Sequence, residues 1–235
     1  MLIQILEKWC RENDISLSDK QKENFLIYEK MLVEWNEKMN LTAITEENQI
    51  AVKHFIDSIS VLKFVEIKMN SSVIDIGTGA GFPGIPLKIM RPDIKLTLLD
   101  SLNKRLIFLG EVCRAINESA DIIHARAEEY SRKSEYREKF DYAVSRAVAN
   151  LPSLCEYCIP YVKRGGMFIS MKGSDGENEL EVSKNAIEVL GGRSDGIHSF
   201  TLPDGSMRTI ISVSKISATP SEYPRRGTKI SRNPL

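Results

Sequence analysis

The sequence predicts an α/β protein whose largely parallel β-sheet has helices on both faces and follows an N-terminal helical segment. From Val73 onward, short β-rich runs alternate with helical stretches. Before that point, apolar residues recur at three- and four-residue steps. A turn sequence, Pro203-Asp204-Gly205-Ser206, separates the last two β-rich runs. Strand–helix alternation at this spacing is typical of parallel sheets, and so short a connection requires an antiparallel pair.

The first part of the chain predicts three helices. Ser18 and Gln21 form a capping-box pattern, and the apolar face that follows comprises Phe25, Tyr28, Leu32, Trp35 and Met39. A shorter helix is expected before it around Leu2–Trp9, and a third after Thr45. We therefore predict a helical subdomain over residues 1–70.

Seven strands are predicted after this segment. They are Val73–Ile76, Ile94–Leu99, Asp121–His124, Phe140–Ser145, Met167–Met171, Gly196–Leu202 and Thr209–Lys215. The intervening helices are expected at 84–91, 103–117, 151–163 and 176–190. We predict one domain over 71–218, with its last two strands in an antiparallel hairpin at the sheet edge and the last strand reversed, and a basic tail over 219–235.

Composition narrows the class of protein. The 235 residues include 32 basic and 32 acidic side chains, and no run of eighteen or more apolar residues occurs. The N-terminus does not resemble a secretion signal, so a cytoplasmic protein without a membrane partner is expected. The four cysteines include the pair Cys155-x-x-Cys158, which lacks the second pair or histidine cluster of a metal site. We interpret them as core thiols and predict no metal.

The charges are unevenly distributed along the chain. Residues 1–48 hold six basic and ten acidic side chains, whereas residues 203–235 hold six basic and two acidic ones. The basic residues of that last part are Arg208, Lys215, Arg225, Arg226, Lys229 and Arg232. They are candidates for phosphate contacts, although a solvated tail would have the same composition.

A glycine-rich loop follows the first predicted strand directly. Its sequence is Gly77-Thr78-Gly79-Ala80-Gly81-Phe82-Pro83-Gly84, and a helix begins behind it. Gly79-x-Gly81-x-x-Gly84 fits the dinucleotide fingerprint, while Asp75-x-Gly77-x-Gly79-x-Gly81 fits the acidic motif of S-adenosylmethionine enzymes. A carboxylate at Asp75 would repel a pyrophosphate but could hold the amino group of a methionyl moiety, so the second interpretation is favoured.

Two further acidic residues are candidate cofactor contacts. Asp100 ends the second strand, where a carboxylate accepts hydrogen bonds from ribose hydroxyls in either cofactor class. Glu128 follows the third strand, where a polar side chain usually flanks an adenine. Glu128 could equally be an acid that stabilises a helix N-terminus. With seven strands and the last reversed, these features favour a class I methyltransferase over a nicotinamide oxidoreductase.

The fourth strand indicates which atom is methylated. Enzymes that methylate exocyclic amines carry Asn/Asp-Pro-Pro-aromatic here, but this chain has Asp141–Ala147, and neither Cys155 nor Cys158 has the Pro-Cys context of carbon methylation. A ring nitrogen with a free lone pair, such as guanine N7, needs neither device. Arg146 is the candidate to hold the target base or the donor carboxylate, although a plain salt bridge is the alternative.

At this point the chain resembles the ribosomal RNA small subunit methyltransferase G family (RsmG, or GidB) over essentially its whole length. The matching segments are Trp35-Asn36, Met39–Thr42, His54–Ser58, Asp75–Leu87, Ser145–Ala147, Arg226–Lys229 and Pro234-Leu235. The resemblance implies methylation of guanine N7 in 16S rRNA with S-adenosyl-L-methionine as cofactor. It also implies 16S rRNA or the small ribosomal subunit as partner, and a monomer is expected by default.

The resemblance also assigns residues. It implies donor contacts at Gly77, Phe82, Ala127, Glu128 and Arg146. It places Asn40, His54, Asp57, Ser58, Arg126, Lys172 and the C-terminal basic residues at the cofactor mouth or the RNA face. His54 could instead be an ordinary helix residue paired with Asp57. A nicotinamide oxidoreductase and a non-catalytic RNA-binding protein remain the alternative functions.

Overall fold

A seven-stranded sheet forms the centre of the computed structural model, which describes residues 1–235. The strands are β1 Ser72–Ile76, β2 Lys95–Asp100, β3 Ala120–His124, β4 Phe140–Arg146, β5 Val162–Lys172, β6 Gly192–Thr201 and β7 Met207–Lys215. All seven predicted strands are therefore confirmed. β5 and β6 begin earlier than predicted, at Val162 instead of Met167 and at Gly192 instead of Gly196.

The strand order is β3-β2-β1-β4-β5-β7-β6. β1 pairs in parallel with β2 and β4, whereas β7 lies antiparallel between β5 and β6. The predicted reversal of the last strand is confirmed. Because the chain moves outward from β1 first to one side and then to the other, a crevice opens where β1 and β4 end.

All seven predicted helical stretches contain helix, but the third and the last of them are divided into shorter helices. The helices are α1 Leu2–Glu12, α2 Asp19–Met39, α3 Glu47–Ile50, α4 Asp57–Ile59, α5 Val61–Phe64, α6 Gly84–Met90, α7 Asn103–Ala115, α8 Ala127–Tyr130, α9 Leu151–Cys158, α10 Gly176–Val182, α11 Lys184–Val189 and α12 Gly227–Arg232. Of these, α8 and α12 were not predicted. A π-helical turn, Ala51–Ile56, joins α3 to α4, and a 3-10 turn, Ile159–Tyr161, follows α9. The single helix predicted over 176–190 is two helices, separated at Ser183.

Local sequence explains where the long helix α2 begins and ends. The predicted capping box is present, since Ser18 accepts from the backbone N–H of Gln21 and the Gln21 side chain accepts from the backbone of Ser18. At the other end Asn40 adopts a left-handed conformation (φ 48°), which asparagine tolerates better than most residues. The chain therefore turns sharply towards Leu41 and Thr42.

Two apolar clusters lie on the two faces of the sheet. The larger contains 39 buried residues and combines side chains of the N-terminal helices, such as Phe25 and Leu32, with sheet residues such as Leu98 and Val144. The helices and the sheet thus share one core, and the division of the chain at residue 70 stays a prediction. The smaller cluster contains Cys155 and Cys158, both fully buried, as expected for core thiols, and burial raises the pKa of both.

The C-terminal segment packs against the domain. The guanidinium of Arg137 donates to the carbonyl oxygens of Tyr223 (2.9 Å) and Thr219 (2.8 Å). Farther along, Arg225 pairs with the completely buried Glu156 at 2.7 Å. These contacts bring α12 beside the carboxyl ends of β2, β3 and β4. No helix of the protein combines the length and the apolarity needed to cross a membrane.

Candidate functional site

The glycine loop between β1 and α6 is shaped by left-handed backbone conformations. Gly77 has φ +69° and Gly79 has φ +61°, values that side chains disfavour. A Cβ on Gly77 would also lie 2.6 Å from Cγ2 of Val148. The N–H of Gly79 donates to Oδ2 of Asp100 at 2.9 Å. The loop therefore connects the end of β1 with the ends of β2 and β4.

Asp75 lies beneath this loop and is completely buried. Its Oδ2 accepts from the hydroxyl of Thr78 (2.7 Å) and the N–H of Gly84 (2.8 Å), while its Oδ1 has no hydrogen-bond partner. Burial raises the pKa of Asp75 to about 6, against the opposing effect of these two hydrogen bonds. Asp75 therefore holds the loop together with one of its carboxylate oxygens, and its expected contact with a methionyl amino group stays a prediction.

Phe82 and Gly81 likewise face the interior. The Phe82 ring stacks between His54, with centroids 4.4 Å apart, and Tyr28, at 5.4 Å. Tyr28 donates its hydroxyl proton to the carbonyl of Ala80 at 2.5 Å, and a Cβ on Gly81 would meet that hydroxyl. Tyr28 thereby attaches helix α2 to the glycine loop. Phe82 and Gly81 pack against this tyrosine on the interior side of the loop.

A cavity of about 590 Å³, which we call the strand-end cavity, opens at the carboxyl ends of β1 to β4. Its lining comprises Ile76, Gly77, Leu99, Asp100, Ser101, Arg105, Ala125, Arg126, Ala127, Glu128, Ala147, Val148, Ala149, Tyr157, Gly227, Thr228 and Ser231. The volume suits a small-molecule ligand, and the lining combines aliphatic side chains with a few acids. The structure thus brings together four predicted donor-site residues, Gly77, Asp100, Ala127 and Glu128, and adds Arg126, which was predicted at the cofactor mouth or the RNA face.

Asp100 is the acid at the centre of the strand-end cavity. Its residue is 3% exposed, and its Oδ1 accepts from the N–H of Leu102 at 2.8 Å. Arg105 lies 3.5 Å from its Oδ2 and was not predicted. Vicinal ribose hydroxyls could donate to this carboxylate, as expected from its place at the end of β2. The residues present therefore fit the nucleoside of S-adenosylmethionine.

Glu128 and α12 form another side of the same cavity. Gly227, at the start of α12, lies so close to Glu128 that a Cβ would be 2.1 Å from Oε1. Thr228 and Ser231 extend this side. Sequence reasoning missed it because nothing in the local pattern shows that the C-terminus returns to the ends of the strands. The one sequence feature that indicates this contact is the glycine at position 227, because only a residue without a side chain allows α12 to approach Glu128 so closely.

A second cavity of about 570 Å³, which we call the Arg146 cavity, lies next to the first. Both are lined by the segment Ala147–Ala149. Ala147 has φ +56°, a strained value for a residue with a side chain, and Val148 is 41% exposed. This short turn after β4 separates the two cavities, so ligands in the two would meet there.

The Arg146 cavity is rich in charge. Its charged lining residues are Lys53, Asp57, Arg146, Lys172, Glu179 and Arg208. Four are basic and two acidic, which favours an anionic ligand. Sequence reasoning identified Asp57, Arg146 and Lys172, and it named Arg208 among the C-terminal basic candidates for phosphate contacts. It missed Lys53 and Glu179, which come from parts of the chain far from the glycine loop.

Arg146 is held in a fixed orientation at the end of β4. Its guanidinium donates to Oδ2 of Asp57 (2.9 Å) and to the carbonyl of Lys53 (3.0 Å), and it lies 4.9 Å from the Phe82 ring centroid. Asp57 also lies 3.3 Å from the Arg208 guanidinium. Arg146 therefore belongs to the Arg146 cavity and does not line the strand-end cavity, where a donor carboxylate would lie.

His54 connects this arginine with the end of α2. Its Nε2 lies 2.8 Å from the Thr42 hydroxyl, and its Nδ1 lies 3.3 Å from Arg146, a donor. Nδ1 is thus the acceptor, and Nε2 carries the proton towards Thr42. Burial and the charge of Arg146 lower the pKa of His54 to about 3. The imidazole is consequently neutral and its tautomer is fixed.

The other predicted RNA-facing residues differ in accessibility. Ser58 is completely buried and donates to the carbonyl of His54, and Asn40 ends α2 away from both cavities. The guanidinium of Arg225 donates to both carboxylate oxygens of Glu156, so it is not free for a phosphate. We therefore withdraw Ser58 and Arg225 as RNA contacts. The exposed basic residues near α12 are Arg126, Arg226, Lys229 and Arg232.

Solved structures of methyltransferases share this fold. The crystal structure of M. jannaschii TYW2 in complex with AdoMet superposes with a TM-score of 0.54 over 69% of this chain and 76% of that chain, at 16% identity. The likeness at this identity concerns the fold alone. Together with the reversed last strand, the glycine loop and the acid at the end of β2, it defines the class I methyltransferase fold.

The sequence comparisons are more specific. The family model described as rRNA small subunit methyltransferase G matches residues 21–209. A relative of the same name from Alkaliphilus metalliredigens is 48% identical over 233 residues, covering 98% of each chain. Another from Acetivibrio thermocellus is 51% identical over 223 residues, covering 94% of this chain and 91% of that protein. The chain belongs to the rRNA small subunit methyltransferase G family, which confirms the resemblance, and it is a methyltransferase.

Proposed function

We propose that the protein transfers a methyl group from S-adenosylmethionine to N7 of a guanosine in 16S rRNA. The observation that carries the proposal is the common wall of the two cavities at Ala147–Ala149. A donor in the strand-end cavity and a base in the Arg146 cavity would meet at this wall. The family to which the chain belongs supports ribosomal RNA as the substrate.

The donor would lie with its ribose hydroxyls on Asp100 and its adenine between Ala127, Glu128 and α12. Its chemical contribution is an electrophilic methyl group on a sulfonium. The protein contributes the glycine loop, whose residue Gly77 leaves room next to Val148, and a cavity of matching size. This assignment extends the donor roles predicted for Gly77, Ala127 and Glu128.

The acceptor base would lie in the Arg146 cavity. Guanine N7 carries a free lone pair and no proton, so the enzyme needs no general base, and catalysis consists of orientation. The neutral His54 fits this chemistry, because it positions Arg146 and does not take up a further proton at ordinary pH. The basic excess of the cavity favours the phosphates on either side of the base.

We propose that exposed basic residues near α12 hold more of the RNA. Arg126, Arg226, Lys229 and Arg232 lie beside the strand-end cavity or on α12, where they are accessible. We further propose that the protein is located in the cytoplasm, since 16S rRNA and the small ribosomal subunit are found in that compartment. We also propose that it is a monomer.

Transfer of a radiolabelled methyl group separates this proposal from its alternatives. Incubation with labelled donor and 16S rRNA lacking the modification should label that RNA, and 23S rRNA provides the control. RNA binding without transfer would favour a non-catalytic RNA-binding protein. Binding of a nicotinamide cofactor without transfer would favour an oxidoreductase.

A further inference from the structure

Glu179 lines the Arg146 cavity, and one of its two carboxylate oxygens makes no hydrogen bond. Its Oε2 accepts from the N–H of Leu151 (2.6 Å) and pairs with Nζ of Lys172 (2.7 Å). Its Oε1 makes no hydrogen bond, and the side chain is 23% exposed. One oxygen thus fixes the side chain, and the other remains free to accept from a ligand.

Lys172 complements this acceptor with a donor. An ammonium group has three N–H bonds, and Lys172 donates one to the carbonyl of Ala149 (2.6 Å) while its Nζ forms an ion pair with Glu179. At least one N–H therefore remains for a ligand. Since both residues line the cavity, they offer a hydrogen-bond donor and an acceptor side by side.

Asp57, the other carboxylate that lines the cavity, cannot accept a hydrogen bond from a ligand. The Asp57 side chain is 6% exposed, and its Oδ2 is bound by Arg146. Its Oδ1 is inaccessible and lies within ion-pair distance of Arg208, outside hydrogen-bond geometry. Asp57 therefore orients the two arginines, and Glu179 is the acidic group that a base in the cavity could reach.

We propose that Glu179 is the specificity-determining residue that accepts hydrogen bonds from N1–H and the 2-amino group of the target guanine. The inference rests on the proposed function and names the part of the base that the site recognises. Lys172 would donate to O6 of the same guanine edge. Flipped or unpaired bases are commonly read on this edge, which leaves N7 free to be methylated.

The pattern distinguishes guanine from adenine. Guanine presents an acceptor at O6 beside donors at N1 and the 2-amino group, whereas adenine presents a donor at its 6-amino group beside an acceptor at N1. Lys172 offers a donor and Glu179 an acceptor, which is complementary to the guanine pattern. Against adenine the same pair would place a donor opposite a donor and an acceptor opposite an acceptor. A mismatched base would leave a buried charged group without its partner, which costs more than the loss of one neutral hydrogen bond.

A structural role for Glu179 predicts a different result. If it only anchors Leu151 and Lys172, its replacement slows the reaction equally for every base. Inosine separates the two roles, because it keeps N7, O6 and N1–H but lacks the 2-amino group. The substrate is therefore 16S rRNA assembled by ligation, with either guanosine or inosine at the position that the wild-type enzyme methylates.

The measured quantity is the ratio of kcat/KM for guanosine RNA to that for inosine RNA. The wild-type ratio should be about ten to one hundred, the effect of one hydrogen bond to a charged group. In Glu179→Gln, which can still accept from Leu151, the guanosine rate should fall and the ratio should approach one. Glu181→Gln, on the exposed side of the same helix, is the matched control and should keep the wild-type ratio.

Two results would overturn the inference. One is a wild-type ratio near one, and the other is a Glu179→Gln ratio equal to that of wild type. Binding of S-adenosylhomocysteine, measured by calorimetry, verifies that the variant is folded. Should it fail to bind, Glu179→Asp, which keeps the charge, replaces it and must also lower the ratio. Absence of transfer to guanosine RNA by wild type would overturn the proposed function as well.

Discussion

Arg146 and Asp57 form an ion pair, with Nη1 of Arg146 and Oδ2 of Asp57 2.9 Å apart, that joins the end of β4 to the start of α4. The two side chains are 12% and 6% exposed. The pair therefore connects the sheet that holds the glycine loop with the N-terminal helices. Its place beside Val148 explains how helices far from the loop in sequence contribute to the acceptor side of the site.

Asp57→Asn should slow methyl transfer by about ten- to one hundredfold, because Arg146 loses a charge-assisted hydrogen bond that orients it. The affinity for S-adenosylhomocysteine should not change, since Arg146 does not line the strand-end cavity. Single-turnover rates and calorimetry measure the two effects. Glu34→Gln, which removes an exposed helix pair, is the control. An unchanged rate would show that the pair has only a structural role.

Asp100→Ala should weaken donor binding by roughly 1–3 kcal/mol through loss of the ribose hydrogen bonds and of the contact to Gly79. Calorimetry with S-adenosylmethionine measures the affinity. Asp121→Ala, an exposed carboxylate on β3, should bind like wild type. Equal affinities for wild type and Asp100→Ala would remove Asp100 from the donor site.

Two neighbouring arginines should have opposite roles. Arg225→Ala should lower the free energy of unfolding in urea by about 3–5 kcal/mol, because it leaves Glu156 buried without its partner. If Arg225→Ala is as stable as wild type, the pair with Glu156 contributes little to stability.

The triple variant of Arg226, Lys229 and Arg232 to alanine should leave stability unchanged and reduce the log–log salt slope of RNA binding by about two to three units. If the triple variant keeps the wild-type slope, these side chains are solvated.

His54 should make the fold sensitive to acid. Its pKa is lowered to about 3 in the folded protein, against an ordinary value of 6.5, so the unfolded chain binds more protons between these values. Stability should therefore fall as the pH decreases through this window, by at most about 1.4 kcal/mol per pH unit. His54→Gln should lack this component in urea unfolding at pH 5 and pH 7. The exposed His124→Gln should follow wild type, and parallel pH profiles for wild type and His54→Gln would contradict the lowered pKa.

Sequence patterns predicted the sheet and the donor side of the site because these features are local. The glycine loop, Asp100 and Glu128 each lie at a recognisable place after a strand, and the structure brings Gly77, Asp100 and Glu128 to one cavity. The strand boundaries of β5 and β6 were less accurate, since Gly165 and Gly196 interrupt the apolar pattern.

The acceptor side depends on contacts that no local pattern shows. Asp75 has the expected residue type at the expected position, yet burial directs its carboxylate to the loop itself. Arg225 and Arg226 are adjacent residues of the same type, so the sequence does not show which of them is free to contact RNA. The structure distinguishes them, because Glu156 pairs with Arg225. Glu179 reaches the site because α10 packs against β7 and α9, a long-range arrangement of the chain.

The most direct measurement of the central claim is chemical mapping of the methylated atom. Methylation at N7 makes the guanine ring cationic, so borohydride reduction followed by aniline cleaves the RNA at that nucleotide. Unmodified 16S rRNA incubated with the enzyme and S-adenosylmethionine should be cleaved at one guanosine, and RNA incubated with Asp100→Ala at limiting donor should be cleaved far less. Transfer of label to the RNA without any cleavage would contradict N7 as the acceptor.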